Sequence, residues 1–275
     1  MQQRKEPWQS ADLVAVFDEL PLWSAPFGLA LLEAVELRAG AVALDVGCGT
    51  GFPLLELAER LGPAARVHGI DPWHEAIDRI HQKVRQYGIA NVEVVEGVAE
   101  QLPFAGAAFD LVVSNNGLNN VQDQPRALSE CFRVARPGAQ FVLTMNLPDT
   151  MHELYAVLMT LLQETGRAAL VPAVQAQIAS KRLPKAETER RLAAAGFRIA
   201  HVVERTFMMR FATGTALLRH HAIRLAFLPG WLGIVPVDDA AAFLAALETK
   251  LNGIAAERGE IALTIPFACF DCRRV

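Results

Sequence analysis

Long apolar runs, clustered cysteines and a charge excess of either sign are all scarce in this 275-residue chain, and each scarcity narrows what it can be. The longest uncharged apolar stretch late in the sequence, Leu225–Val237 (LAFLPGWLGIVPV), carries two prolines and two glycines. It is too short and too broken to span a bilayer, which takes about 20 apolar residues in a helix. It fits core, a lid, or a contact with a second copy or a membrane surface. The first ten residues, MQQRKEPWQS, lack the apolar segment of a secretory signal. The four cysteines (48, 131, 269 and 272) are scattered rather than arranged as a disulfide framework, so the expected location is the reducing cytoplasm. A net charge of −4 gives no general attraction to nucleic acid or anionic membrane. What remains is a globular protein, with 52% hydrophobic residues to build a core.

From about residue 42 a regular alternation begins. AVALDV (Ala41–Val46), RVHGID (Arg66–Asp71), NVEVVEG (Asn91–Gly97), FDLVVS from Phe109 and QFVLTM (Gln140–Met145) read as strands. PLLELAERL (Pro53–Leu61), EAIDRIHQKVRQY (Glu75–Tyr87) and RALSECFRVA (Arg126–Ala135) read as helices between them, and Pro137-Gly138 as a turn. Strands and helices at this spacing imply βαβ units and a parallel sheet covered on both faces. After Met145 the rhythm breaks. Residues 150–182 are mostly helical, with an interruption expected near Val171-Pro172. A helix at Lys185–Phe197 and a sixth strand at Arg198–Phe211 follow, then a helical stretch at Thr213–Glu257 and a seventh strand at Ile261–Phe270. The expected organisation is an α/β core of residues 41–146, 184–212 and 259–275. Helical cap insertions are expected at 147–183 and 213–258, and a helical lid at 1–40. In that lid Phe17, Trp23 and Phe27 cluster around prolines, and their faces suit a methyl-bearing cation.

The strongest local signal is LDVGCGTGF, Leu44–Phe52. Glycines between a strand and a helix allow positive φ and close approach of a ligand to the backbone. Asp71, at the end of the second strand, is placed to accept hydrogen bonds from both hydroxyls of a ribose. The dinucleotide fingerprint G-x-G-x-x-G needs glycine at 52, where this chain has Phe52, and Asp45 would repel a pyrophosphate. The pattern therefore fits a nucleoside without phosphates whose amino group is met near Asp45, which points to S-adenosylmethionine.

VALDVGCGTG, VHGIDPW, EGVAEQLPFAGAAFDLVVS and RVARPGAQFVLT, in this order and spacing, resemble class I S-adenosylmethionine-dependent methyltransferases. The resemblance covers about residues 40–145 and is nearest to the ubiquinone/menaquinone-biosynthesis C-methyltransferases. It implies a Rossmann-like, doubly wound seven-stranded sheet whose last strand is antiparallel. It also implies Asp45, Gly47, Cys48 and Gly49 around the methionine portion, Asp71 on the ribose, and Pro72-Trp73 at the adenine edge. Where members carry Gly-Asp-Ala before the LPF segment, this chain has Gly97-Val98-Ala99-Glu100, so Val98, Ala99 or Glu100 would have to meet the adenine amino group.

Transfer from a sulfonium is a direct displacement in which positioning and desolvation carry much of the rate. A base is needed only for a protonated nucleophile, and His220 and His221 are the candidates for it. The asparagine-rich SNNGLNN (Ser114–Asn120) follows the fourth strand where open α/β sheets place ligands. Asn115 is expected to hold the donor's amino-acid end and Asn119 to reach the acceptor, with Asn116 and Asn120 as turn formers. Cys269-x-x-Cys272 has no companion ligands for a metal. The expected function is methyl transfer to a small or medium, largely apolar acceptor, with no nucleic acid, no integral membrane segment and room for a homodimer. Alternatives are a donor-binding sensor or scaffold without catalysis, and a nicotinamide-dependent oxidoreductase, which Phe52 argues against.

Overall fold

The computed structural model describes Val14 and residues 23–275. Seven strands form one sheet in the order β3-β2-β1-β4-β5-β7-β6. They are β1 (Val42–Val46), β2 (Arg66–Asp71), β3 (Val92–Glu96), β4 (Phe109–Asn115), β5 (Ala135–Asn146), β6 (Phe197–Phe211) and β7 (Ile261–Arg274). β1 pairs in parallel with β2 and β4, β2 with β3, and β4 with β5, whereas β7 runs antiparallel to β5. Strand order therefore reverses between β1 and β4, which opens a crevice at their carboxyl ends.

Two compact units divide the chain. The first holds residues 23–146, 184–205 and 267–275. In it α1 (Ala25–Ala34), α2 (Leu54–Leu61), α3 (His74–Tyr87), α4 (Gln124–Val134) and α7 (Lys185–Ala194) accompany the sheet. Its core is built from consecutive apolar positions of the central strands, including Leu44, Val112 and Phe141, and from helix positions such as Leu54 and Leu57, all fully buried. The second unit, residues 147–183 and 206–266, is mainly helical: α5 (His152–Glu164), α6 (Val171–Lys181), α8 (Gly214–Arg219), α9 (Leu228–Leu232) and α10 (Ala240–Arg258). Among the described residues no helix is long and apolar enough to cross a membrane.

Local details depart from the sequence expectations for identifiable reasons. Pro137-Gly138 lies inside β5, but the pairing with β4 jumps from Phe109–Ala135 to Leu111–Gln140, so the pair sits in an excursion within the strand. The interruption expected at Val171-Pro172 falls earlier, at Gly166, whose φ is +72°. Pro172 instead occupies the first turn of α6, where a missing N–H costs no helical bond. β7 extends four residues beyond the expected Phe270. Part of the Leu225–Val237 stretch is core: Leu228, Trp231 and Val235 are buried, while Val237 is exposed. Phe17 lies outside the described residues. Phe27 is fully buried against Phe267, ring centroids 4.7 Å apart, so α1 belongs to the core of the first unit.

Candidate functional site

The glycine loop turns directly out of β1. Gly47 N–H and Cys48 N–H both donate to Ile70 O, at 2.9 and 3.2 Å, which ties the loop to the end of β2. Gly47 (φ +77°) and Gly49 (φ +51°) hold left-handed conformations that a side chain would strain. Nothing lies within 4 Å of where a Cβ on Gly49 would sit, so the space above it is open. The Cys48 thiol instead turns inward, against Gly69 of β2, where a Cβ would come within 2.9 Å of its sulfur. Burial pushes that thiol well above its ordinary range, so Cys48 contributes its backbone to the loop and not a reactive group.

Asp71 locks the loop. One carboxylate oxygen accepts Gly49 N–H and the other accepts Trp73 N–H, both at 2.9 Å. Burial pushes its pKa up and the two amides pull it back. Each oxygen keeps a lone pair for a further donor. Trp73 is the residue before α3 and is buried, whereas Pro72 is exposed.

Asp45 has no exposure at all, and neither of its oxygens meets hydrogen-bond geometry with a protein donor among the described residues. Burial raises its pKa to about 8, the neighbouring Asp71 charge adds to the rise, and the Leu54 amide offsets part of it. A buried carboxyl without a donor is the group a ligand ammonium would satisfy.

The asparagine segment closes the other side of the crevice. A Cβ on Gly47 would lie 2.9 Å from the Gly117 Cα, and one on Gly117 would lie 2.7 Å from Val46 O and 3.1 Å from the Gly47 Cα. The two loops thus touch backbone to backbone. Gly117→Ala is expected to force them apart, costing about 1–3 kcal/mol of stability and weakening donor binding. Thermal unfolding with calorimetric titration of S-adenosylhomocysteine reads both. Unchanged values would show that the loops need not touch.

Asn115 is buried, with its amide donating to Ser24 O at 3.2 Å and its carbonyl accepting from Thr144 Oγ1 at 3.0 Å. Asn116 is more than a turn former. It sits at φ +60°, and its carbonyl oxygen accepts from the Asn119 amide and from Asn146 N–H. Asn119 also donates to Asn146 Oδ1 at 2.6 Å, leaving its own Oδ1 buried without a donor. Asn120 is exposed. Thr144 and Asn146, on the end of β5, and Gly28 of α1 were not singled out from the sequence. A Cβ on Gly28 would clash with the Phe52 ring at 2.2 Å and approach the Asn115 amide at 3.1 Å, so α1 lies over the same loops. Polar residues ending an apolar strand beside the switch point were the available signal for Thr144 and Asn146. Gly28 had none.

The remaining candidates divide. Val98 is exposed and Ala99 buried, while Glu100 Oε1 accepts the Gln122 and Asp123 amides and so ties this turn to the start of α4. His220 and His221 belong to the helical unit. His220 follows α8, half-buried beside Phe211 with its pKa lowered by burial, and His221 is exposed beside Arg224. Cys269 and Cys272 are free and buried.

A reversed strand order with an antiparallel last strand, a glycine loop clasped by Asp71 and a buried Asp45 without a hydrogen-bonded donor among the described residues thus occur together in this chain. Residues 44–143 match the family model described as a methyltransferase domain. Over 111 residues the chain is 37% identical to the demethylmenaquinone methyltransferase of Geobacillus sp. (strain WCH70), an alignment covering 40% of this chain and 47% of that protein. Over 108 residues it is 39% identical to the same enzyme of Geobacillus stearothermophilus, covering 39% and 46%. The alignments thus span about half the length of these curated relatives. A putative methyltransferase structure from Bacillus halodurans C-125 shares the fold with a TM-score of 0.58 at 16% identity, covering 90% of this chain and 98% of that one.

Proposed function

We propose that this protein transfers a methyl group from S-adenosylmethionine to a small, largely apolar acceptor in the cytoplasm. The observation that carries the reading is the buried, donorless Asp45 beside an Asp71 that already holds the glycine loop. Bound S-adenosylmethionine would supply a methyl group already activated on sulfur. Asp71 would take the ribose through its free lone pairs, and the Gly47–Gly49 backbone would admit the methionine portion. Asp45 would meet the ammonium, with Asn115 beside it. Trp73, Val98 and Ala99 would border the adenine. Asn119 would orient a polar group of the acceptor through its unpartnered Oδ1, without titrating. Similarity to demethylmenaquinone methyltransferases supports an apolar acceptor, and the net charge of −4 favours a small molecule over nucleic acid. Residues 147–183 and 213–258 are read as insertions into the 41–146, 184–212 and 259–275 core. Burial lowers the His220 pKa, a shift toward the neutral imidazole that a base requires.

Calorimetric titration tests the reading. S-adenosylhomocysteine should bind with about one equivalent per chain and NADH should not. Failure of the former to bind would remove the proposal. Methyl transfer to a panel of phenols, quinones, thiols and amines then separates an enzyme from a donor-binding sensor.

A further inference from the structure

The helical unit buries a guanidinium that meets no counter-charge among the described residues. Arg182, the residue that ends α6, is 4% exposed. Its Nη2 donates to the Tyr155 hydroxyl at 3.2 Å, and its guanidinium carbon lies 4.9 Å from the Tyr155 ring centroid. Its Nε and Nη1 are buried and have no hydrogen-bond partner among the described residues. Trp231 Nε1 also donates to the Tyr155 hydroxyl, at 3.3 Å, so this oxygen accepts twice. The cluster therefore presents donors in excess.

Three carboxylates of this unit are engaged elsewhere. Glu164 pairs with Lys250, Asp239 with Arg167, and Glu248 accepts from Thr215. Gln177, earlier on α6, keeps its amide against Gly230, and its Oε1 takes no bond from the guanidinium. A buried cation left this way is strongly unfavourable unless something supplies the missing charge. Arginine's planar fork is suited to a carboxylate or a phosphate. One guanidinium with neutral neighbours matches a single negative charge better than a dianion. The neighbouring side chains are aromatic: the Tyr155 and Trp231 rings meet edge to face at 6.4 Å, and Phe227 stacks on Trp231 at 6.2 Å.

We propose that Arg182, Tyr155 and Trp231 form a binding site for the carboxylate of a small aromatic acid. The site stands apart from the methyl-transfer reading and is tested without it. Benzoate serves as the probe, with benzamide as its uncharged counterpart and inorganic phosphate as the competing anion, each titrated calorimetrically into the full chain. Benzoate should bind, with benzamide and phosphate at least about 30-fold weaker. Arg182→Met should weaken benzoate by a similar factor, as expected when one partner of a buried charged contact is removed. No benzoate binding, equal binding of phosphate, or full affinity in the methionine variant would overturn the site. Should that variant not fold, Tyr155→Phe carries the test: it keeps the ring and removes the hydroxyl. Weakened benzoate binding supports the site, and unchanged affinity overturns it.

Discussion

Asp71→Ala should lower the affinity for S-adenosylhomocysteine at least about 100-fold. The carboxylate has two tasks on one side chain. Its oxygens hold Gly49 and Trp73 by their N–H groups, and the remaining lone pairs are those proposed for the ribose. Alanine removes the ligand contacts and frees the loop that shapes the rest of the site. Hydrogen bonds to a charged group contribute about 1.5–3 kcal/mol each, so losing two ribose contacts alone accounts for about 3 kcal/mol or more. Asp71→Asn keeps one carbonyl acceptor and should fall between the two. Calorimetry on protein checked for folding by circular dichroism measures the series. An alanine variant with wild-type affinity would end the ribose assignment. A second readout accompanies the first: without the Asp71 charge, the Asp45 pKa should drop from about 8, because one of the two causes that raise it is gone.

Asp45→Asn should change how stability depends on pH. In the unfolded chain this carboxyl ionises near 3.9, whereas in the ligand-free fold it holds its proton to about pH 8. Between those values the folded state binds more protons, so this group's contribution lowers stability as pH rises, by about 1.4 kcal/mol per unit, and levels off above pH 8. Asparagine has no such term. The variant should therefore gain on the wild type steadily from pH 5 to pH 8 in chemical denaturation, by a few kcal/mol in total. A constant difference across that range would mean that Asp45 is ionised in the free protein. Ligand binding has the complementary signature. An ammonium beside Asp45 favours the carboxylate, so binding at pH 7 should release close to one proton, countable by calorimetry in buffers of different ionisation enthalpy. The asparagine variant should release none and bind about 10–100-fold more weakly.

The sheet was legible because its strands alternate with amphipathic helices and end in glycines or acids at regular intervals. The acid–glycine arrangement was legible for the same reason: turn chemistry and an acid at a strand end leave a local trace. Asn116 was not, because a left-handed asparagine reads as a turn whether or not its carbonyl joins Asn119 and Asn146. That partnership depends on β5 lying beside β4, which no local window contains. Glu100 is one of three residues that the resemblance offers for the adenine amino group, and its second task, accepting the amides at the start of α4 through Oε1, leaves no local trace. Arg182 had no signal at all. KRLP looks like an exposed helix end, and only the packing of Tyr155 and Trp231 makes its charge an unmet need.

The backbone contact between Gly47 and Gly117 sets a limit on how this site can change over time. With no side chain between the loops, the donor cradle and the asparagine turn share one fixed spacing. Under the proposed assignment, substitutions at 116, 119 or 146 would alter what is presented to an acceptor without shifting the place from which the methyl is delivered. Acceptor preference is then free to drift while the donor half stays still. Related chains with new substrates should differ at those three positions and keep both glycines.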